Sequence, residues 1–243
     1  MRLKLLCCEI FFREACHLLA LTKNRVDVEF LPKALHDMES QDMRRELQAK
    51  IDLVPEGTYD AILMGYALCN NGLAGIRANA TPLVVPKAHD CMTLFLGGRE
   101  RYSKYFVDNP GTYFLTSGWL ERSGNDGNEF AIQNKLGMSM KYEELVAQYG
   151  EDNAQFLQET LLDFTHNYHR FAFIAMGVGP EERFEALAQE KAVEKGFELA
   201  KVPGDLSLLS RLVDGPWDAS EFLTVPPGRA VKAKYEDDVL TLD

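Results

Sequence analysis

The sequence predicts an α/β protein of two Rossmann-like lobes, each built on a parallel sheet, with a cleft at the carboxyl ends of the strands. Short apolar runs alternate with amphipathic helical stretches through the first hundred residues, the pattern of a parallel sheet covered on both faces. A second alternation resumes past residue 110. Three of the five cysteines stand where an apolar run stops, and in an open parallel sheet those stops share one crevice. The predicted division is 1–110 for an N-terminal lobe carrying a Cys/His site and 111–243 for a C-terminal lobe, with a crossover near 108–120.

The first lobe reads in order. LKLLC is a strand and FFREACHLLAL a helix; VDVEFL is a strand, followed by DMESQDMRRELQAKIDLV, rich in good helix formers. YDAILMGYAL is a buried strand, CNNGLAGI a turn opening a short helix, and TPLVVP a fourth strand. In the second lobe NPGTYFLTSGW gives a turn and a strand, ERSGNDGNE a polar loop, and residues 141–170 a helical stretch broken at Gly150. FAFIAMGVG is a buried strand, and the next helix has Pro180 near its start and Gly196 past its end. FELAKVPG and EFLTVPPG complete the second set of strands, with Trp217 and Phe222 as core anchors.

The formal net charge of -11 disfavours nucleic acid and anionic membrane, both of which require basic surface. The expected partner is a small molecule or another protein. Glu9, Arg13 and Glu14 interrupt the opening apolar stretch, which therefore reads as strand and helix rather than a signal peptide. An odd number of cysteines suits reduced thiols in the cytoplasm better than a disulfide framework.

Cys8 ends the first strand, Cys69 opens the Cys-Asn-Asn-Gly turn, and Cys91 lies two residues past His89. Cys7 and Cys8 are neighbours in a strand, so their side chains take opposite faces and at most one reaches the crevice. Cys16 reads as a core residue of the first helix. Asp90 is placed to cap a helix, and Cys91 at its positive end is expected to have a depressed pKa. Thiolates and an imidazole at one crevice suit zinc in a tetrahedral site, and three thiolates suit an iron–sulfur cluster with one open iron. Buried cysteines and a satisfied histidine in an ordinary core are the bland alternative.

Thr116, Ser117 and Trp119 end the first strand of the second lobe and are candidate cofactor-binding residues on the opposite wall; interlobe packing explains Trp119 equally well. Arg99 and Arg101 suit either an anionic substrate or a solvated helix face. His166 and His169 fall near a helix end without a carboxylate motif. Gly177 and Gly179 lack the third glycine or the Gly-Lys pair of a nucleotide fingerprint.

The segments GYALCNNGLAGI, LVVPKAHDCMTLFLGGRERY, PGTYFLTSGW and PGDLSLLSRLVDGPWDASEFLTVPPG resemble, in order, the signature blocks of the domain-of-unknown-function 1638 family. By that resemblance the matching positions are Cys8 with Glu14, Cys69, His89 with Asp90 and Cys91, and the GTYFLTSGW stretch. Gly98 stands where the family more usually has serine, which weakens a helix cap there. The resemblance supplies no reaction; its bacterial and archaeal members, some beside corrinoid-dependent methyltransferases, imply a one-carbon setting and a corrinoid or methyltransferase-system protein as partner.

The leading expectation is a metal- or iron–sulfur-dependent enzyme acting on a small polar metabolite. Cys8, Cys69 and Cys91 hold the metal, with His89 either a fourth ligand or an acid–base group oriented by Asp90. The alternatives are a non-catalytic protein that binds or delivers a metal or corrinoid, and a metal-free enzyme using Cys69 or Cys91 as nucleophile.

Overall fold

The computed structural model of the chain describes residues 1–33, 35, 40–69, 71–122, 146, 150–151, 168–234 and 239–243. The polar loop expected at 121–129 and the helical stretch expected at 141–170, His166 included, lie almost entirely outside the described residues.

Four apolar strands build the parallel part of the first sheet: β1 (Arg2–Cys8), β2 (Arg25–Leu31), β3 (Ala61–Gly65) and β4 (Leu83–Pro86). They lie in the order β2-β1-β3-β4. β1 occupies the middle because Leu3, Leu5 and Leu6 leave it no solvent-facing side, and β3 and β4 are buried at every position. A short 3-10 turn (Glu9–Phe11) leads from β1 into α1 (Phe12–Leu19). After β2, α2 (Ser40–Asp52) buries Met43, Leu47 and Ile51, a single stripe at helical spacing. The CNNGLAGI segment, expected to open a short helix, is a run of turns over residues 71–75. Cys69 and Asn71 hold positive φ there, an arrangement that continues as turns rather than helix.

Asp90 starts α3 (Cys91–Phe95), and Gly98 precedes α4 (Arg99–Asp108) without a side-chain cap. The second sheet follows: β5 (Thr112–Thr116), β6 (Arg170–Ala175) and β7 (Glu198–Pro203), parallel and in that order. α5 (Ser117–Glu121) springs directly from β5. α6 (Glu181–Lys195) carries acids in its first turn, a lysine in its last and Gly196 in the left-handed conformation just beyond, as its flanking Pro180 and Gly196 predict.

From β7 the chain crosses back. α7 (Ser207–Asp214) packs on α1 and α3, and β8 (Phe222–Val225) pairs antiparallel with β4. EFLTVPPG therefore completes the first sheet, not the second. The register decides this: Phe222 and Val225 are buried against the already buried Pro86 and Leu83. Phe222 is a core residue as expected, and Trp217 is half-buried with its indole N–H donating to the Leu212 carbonyl at 2.8 Å. β9 (Val231–Ala233) and β10 (Leu240–Leu242) form a small antiparallel pair. No helix among the described residues is long and apolar enough to cross a membrane.

Candidate functional site

Parallel pairing sets Cys7 of β1 opposite Gly65 of β3, so the strands end side by side. A side chain at Gly65 would meet the Cys7 sulfur at 2.5 Å, so a glycine is needed there. The exits of β3 and β4 are tied in turn: the Leu68 and Cys69 amides donate to the carbonyls of Ala88 and His89 at 2.9 and 3.1 Å. These links bring Cys8, Cys69 and Cys91 into one buried neighbourhood. All three are free thiols, and Cys8 has no exposed surface.

Electrostatics confirm that the three are neighbours. Burial is the main force raising each thiol, and each adds to another: Cys91 to Cys8, Cys8 to Cys69, and Cys69 to Cys91. The expectation of a depressed Cys91 thiol is thereby corrected. Its place at the start of α3 is outweighed by desolvation and by the charges of Cys69 and Asp90. Only the Trp119 side chain and the residue's own backbone, both hydrogen-bonding to the sulfur, pull the other way.

The second sheet closes over these thiols. Thr116 caps α5, its hydroxyl accepting from the Trp119 amide at 3.2 Å, which turns Trp119 toward Cys91. The Lys33 ammonium lies 5.2 Å from the Trp119 ring centre. Ser117 is buried, and its hydroxyl has no hydrogen-bond partner among the described residues. Ion pairs pin the seam: Arg13 clasps Glu121 through two bonds of 2.9 and 2.6 Å, and Arg122 meets Glu9 at 3.4 Å.

Asp90 is fully employed. One carboxylate oxygen accepts from the Met92 and Thr93 amides at 3.0 and 3.2 Å, the other from the Tyr102 hydroxyl at 2.6 Å. His89 stands apart. Its side chain is exposed and lines a separate cavity of about 950 Å³ with Thr93, Gly97, Arg99 and Asp205, while only its carbonyl reaches Cys69. A cavity of about 620 Å³ does reach one of the three, touching Cys91 together with Asp90, Trp119, Tyr102 and Lys33 among the described residues. Among those residues, no three His, Cys, Asp or Glu side chains are already grouped in the arrangement that holds a metal ion.

Two residues escaped the reading of the sequence by chemistry. Glu14, which entered only through the family resemblance, is wholly buried, whereas Cys16, expected in the core, is exposed. Helical phase explains both: Phe11, Glu14, Ala15 and Leu18 share the buried face at spacings of three and four, and Cys16 points outward. Tyr66, just past β3, is also wholly buried and senses Cys8, Cys7 and Cys69.

A mixed α/β protein with parallel sheets, three buried thiols at strand ends and a helix from the second sheet laid over them is the class these observations define. The chain belongs to the family described as protein of unknown function DUF1638, whose pattern matches residues 30–213. The match covers Cys69, Cys91 and Trp119 and begins after Cys8 and Glu14. No curated protein and no solved structure matches the chain.

Proposed function

We propose that this protein is an enzyme whose two sheets form Rossmann-like lobes, with a soft-metal centre, zinc or an iron–sulfur cluster, held by Cys8, Cys69 and Cys91 at the seam between them. The observation that carries the reading is the convergence of three buried thiols close enough to raise one another's pKa, although they are not gathered into a ready-made coordination shell. Protonated, they are weak apolar groups; as thiolates they repel one another, and a cation among them reverses that balance. Three soft donors suit zinc with one open position, or a cluster with one iron open. When bound, such a centre supplies Lewis acidity or an electron-transfer site.

The chain's own residues do the remaining work. Trp119 and Tyr102 wall the cavity beside Cys91, and Lys33 gives it a cationic edge. A small metabolite with an anionic group and an apolar body fits that lining. Thr116 sets the angle of α5, and Asp90 fixes the turn that presents Cys91. The nucleophile reading is disfavoured because burial keeps Cys69 and Cys91 in the unreactive thiol form. Five free cysteines favour a reducing compartment such as the cytoplasm.

Cobalt(II) titration of oxygen-free protein tests this. Thiolate-to-cobalt absorption that disappears in Cys8→Ala, Cys69→Ala and Cys91→Ala supports the site; absorption unchanged by all three removes it.

A further inference from the structure

Glu14 is a carboxyl on the buried face of α1. It has no exposed surface, and among the described residues neither carboxyl oxygen meets a donor from another residue. A buried carboxylate without a partner is heavily penalised, so such a group normally either finds a cation or keeps its proton. The cation next to it is already committed. Arg13 gives its guanidinium to Glu121 on α5 and lies 5.5 Å from the Phe184 ring centre.

The other charges around Glu14 give no relief. Glu121 on α5 and Glu181 on α6 repel a second negative charge, and Cys7 on β1 carries a thiol that burial above all, with a smaller push from Glu14, holds protonated. On α1, Cys16 is the nearby titratable group that also bears on Cys7. α7 packs on α1, but its Arg211 is paired with Glu221 and its Asp214 accepts from Thr22. Glu14 also lies where movement has consequences: three residues separate Cys8 from α1, and α5 sits on those three.

We propose that Glu14 is a proton-operated latch on the seam between the sheets. Protonated, it lets α1 and α5 close over the thiols. Ionised, it competes with Glu121 for Arg13, loosens α5 from the turn at Glu9–Phe11 and admits solutes to Cys8 and Cys91. Such a latch answers how anything enters a site whose sulfurs are buried, and it operates whatever those sulfurs hold. Burial, aided by Glu181 and Glu121 and opposed by the residue's own backbone N–H and Arg13, raises the carboxyl from 4.5 to about 7. The sign follows: the closed seam is favoured in acid, weakens as pH rises from 4.5 toward about 7, and changes little above that.

Hydrogen–deuterium exchange on the full chain, corrected for the intrinsic pH dependence of amide exchange, tests the latch. Between about pH 6 and about pH 8, protection of residues 9–19 and 116–122 should fall by about tenfold in the wild type and stay level in Glu14→Gln. An identical pH dependence in both proteins overturns the proposal. Should Glu14→Gln fail to fold, carbon-13 NMR titration of wild-type glutamate carboxyls decides: a carboxyl titrating near 7 in step with the loss of protection upholds the latch. Glutamates all titrating in their ordinary range overturn it.

Discussion

Gly118 lies against the carbonyl oxygen of Ile10 so closely that a β-carbon at position 118 would stand 1.7 Å from it. This is the point where α5 of the second sheet is pressed onto the turn that follows Cys8, and only a residue without a side chain fits. The thiol neighbourhood is therefore built by both sheets.

Gly118→Ala forces α5 and the Glu9–Phe11 turn apart. The expected loss is about 1–3 kcal/mol of unfolding free energy, with faster labelling of Cys8 and Cys91. Denaturant titration and thiol labelling measure the two effects; wild-type values for both would mean that the seam yields elsewhere.

Limited alkylation of metal-free protein at about pH 8 should modify Cys16 first, since it alone of the five cysteines is exposed. Cys8, Cys69 and Cys91 should lag by on the order of tenfold or more, because burial holds them as thiols. Peptide mass spectrometry reads the order, and Cys91 reacting first would restore the nucleophile reading.

Asp90→Ala removes a helix cap and the acceptor of the half-buried Tyr102 hydroxyl together. A loss of about 1–3 kcal/mol is expected, and Asp90→Asn, which retains an accepting oxygen, should lose less. Equal losses in the two variants would show that the charge of Asp90, rather than its hydrogen bonding, matters.

Glu14 makes stability depend on pH in the opposite sense to most carboxylates. Its folded pKa is raised, so the folded state binds the proton more tightly and loses stability as pH climbs from 4.5 to about 7, by up to about 3 kcal/mol. Glu14→Gln should show a flatter profile in denaturant titrations at several pH values. A wild-type profile that rises over that interval would contradict the assignment.

Much of the first sheet is legible in the sequence because its strands are continuous apolar runs closed by turn residues, and strand ends in a parallel sheet must converge. That rule alone places Cys8, Cys69 and Cys91 together. The cap by Asp90 is equally readable, from one acid before a short apolar helix. Other features depend on packing that local pattern does not encode. EFLTVPPG reads as a strand wherever it pairs, and only the return of α7 to the first sheet delivers it to the edge of β4. The Cys91 thiol shows the same limit. Its position in a helix predicts one direction of shift, while burial and the nearby Cys69 and Asp90, visible only in three dimensions, set the other. His89 is two residues from Cys91 yet lines a different cavity: Cys91 already belongs to α3, whereas His89 precedes the Asp90 cap. Glu14 was within reach of the sequence: a charge in phase with Phe11, Ala15 and Leu18 on an amphipathic helix marks a buried carboxyl.

The most direct test of a soft-metal centre is the zinc, iron and acid-labile sulfide content of protein purified without oxygen, with Cys8→Ala, Cys69→Ala and Cys91→Ala measured beside the wild type. The proposed site requires stoichiometric zinc, or iron with sulfide, in the wild type and its loss in all three folded variants. Wild-type protein that is free of metal and takes up none on reconstitution would contradict it.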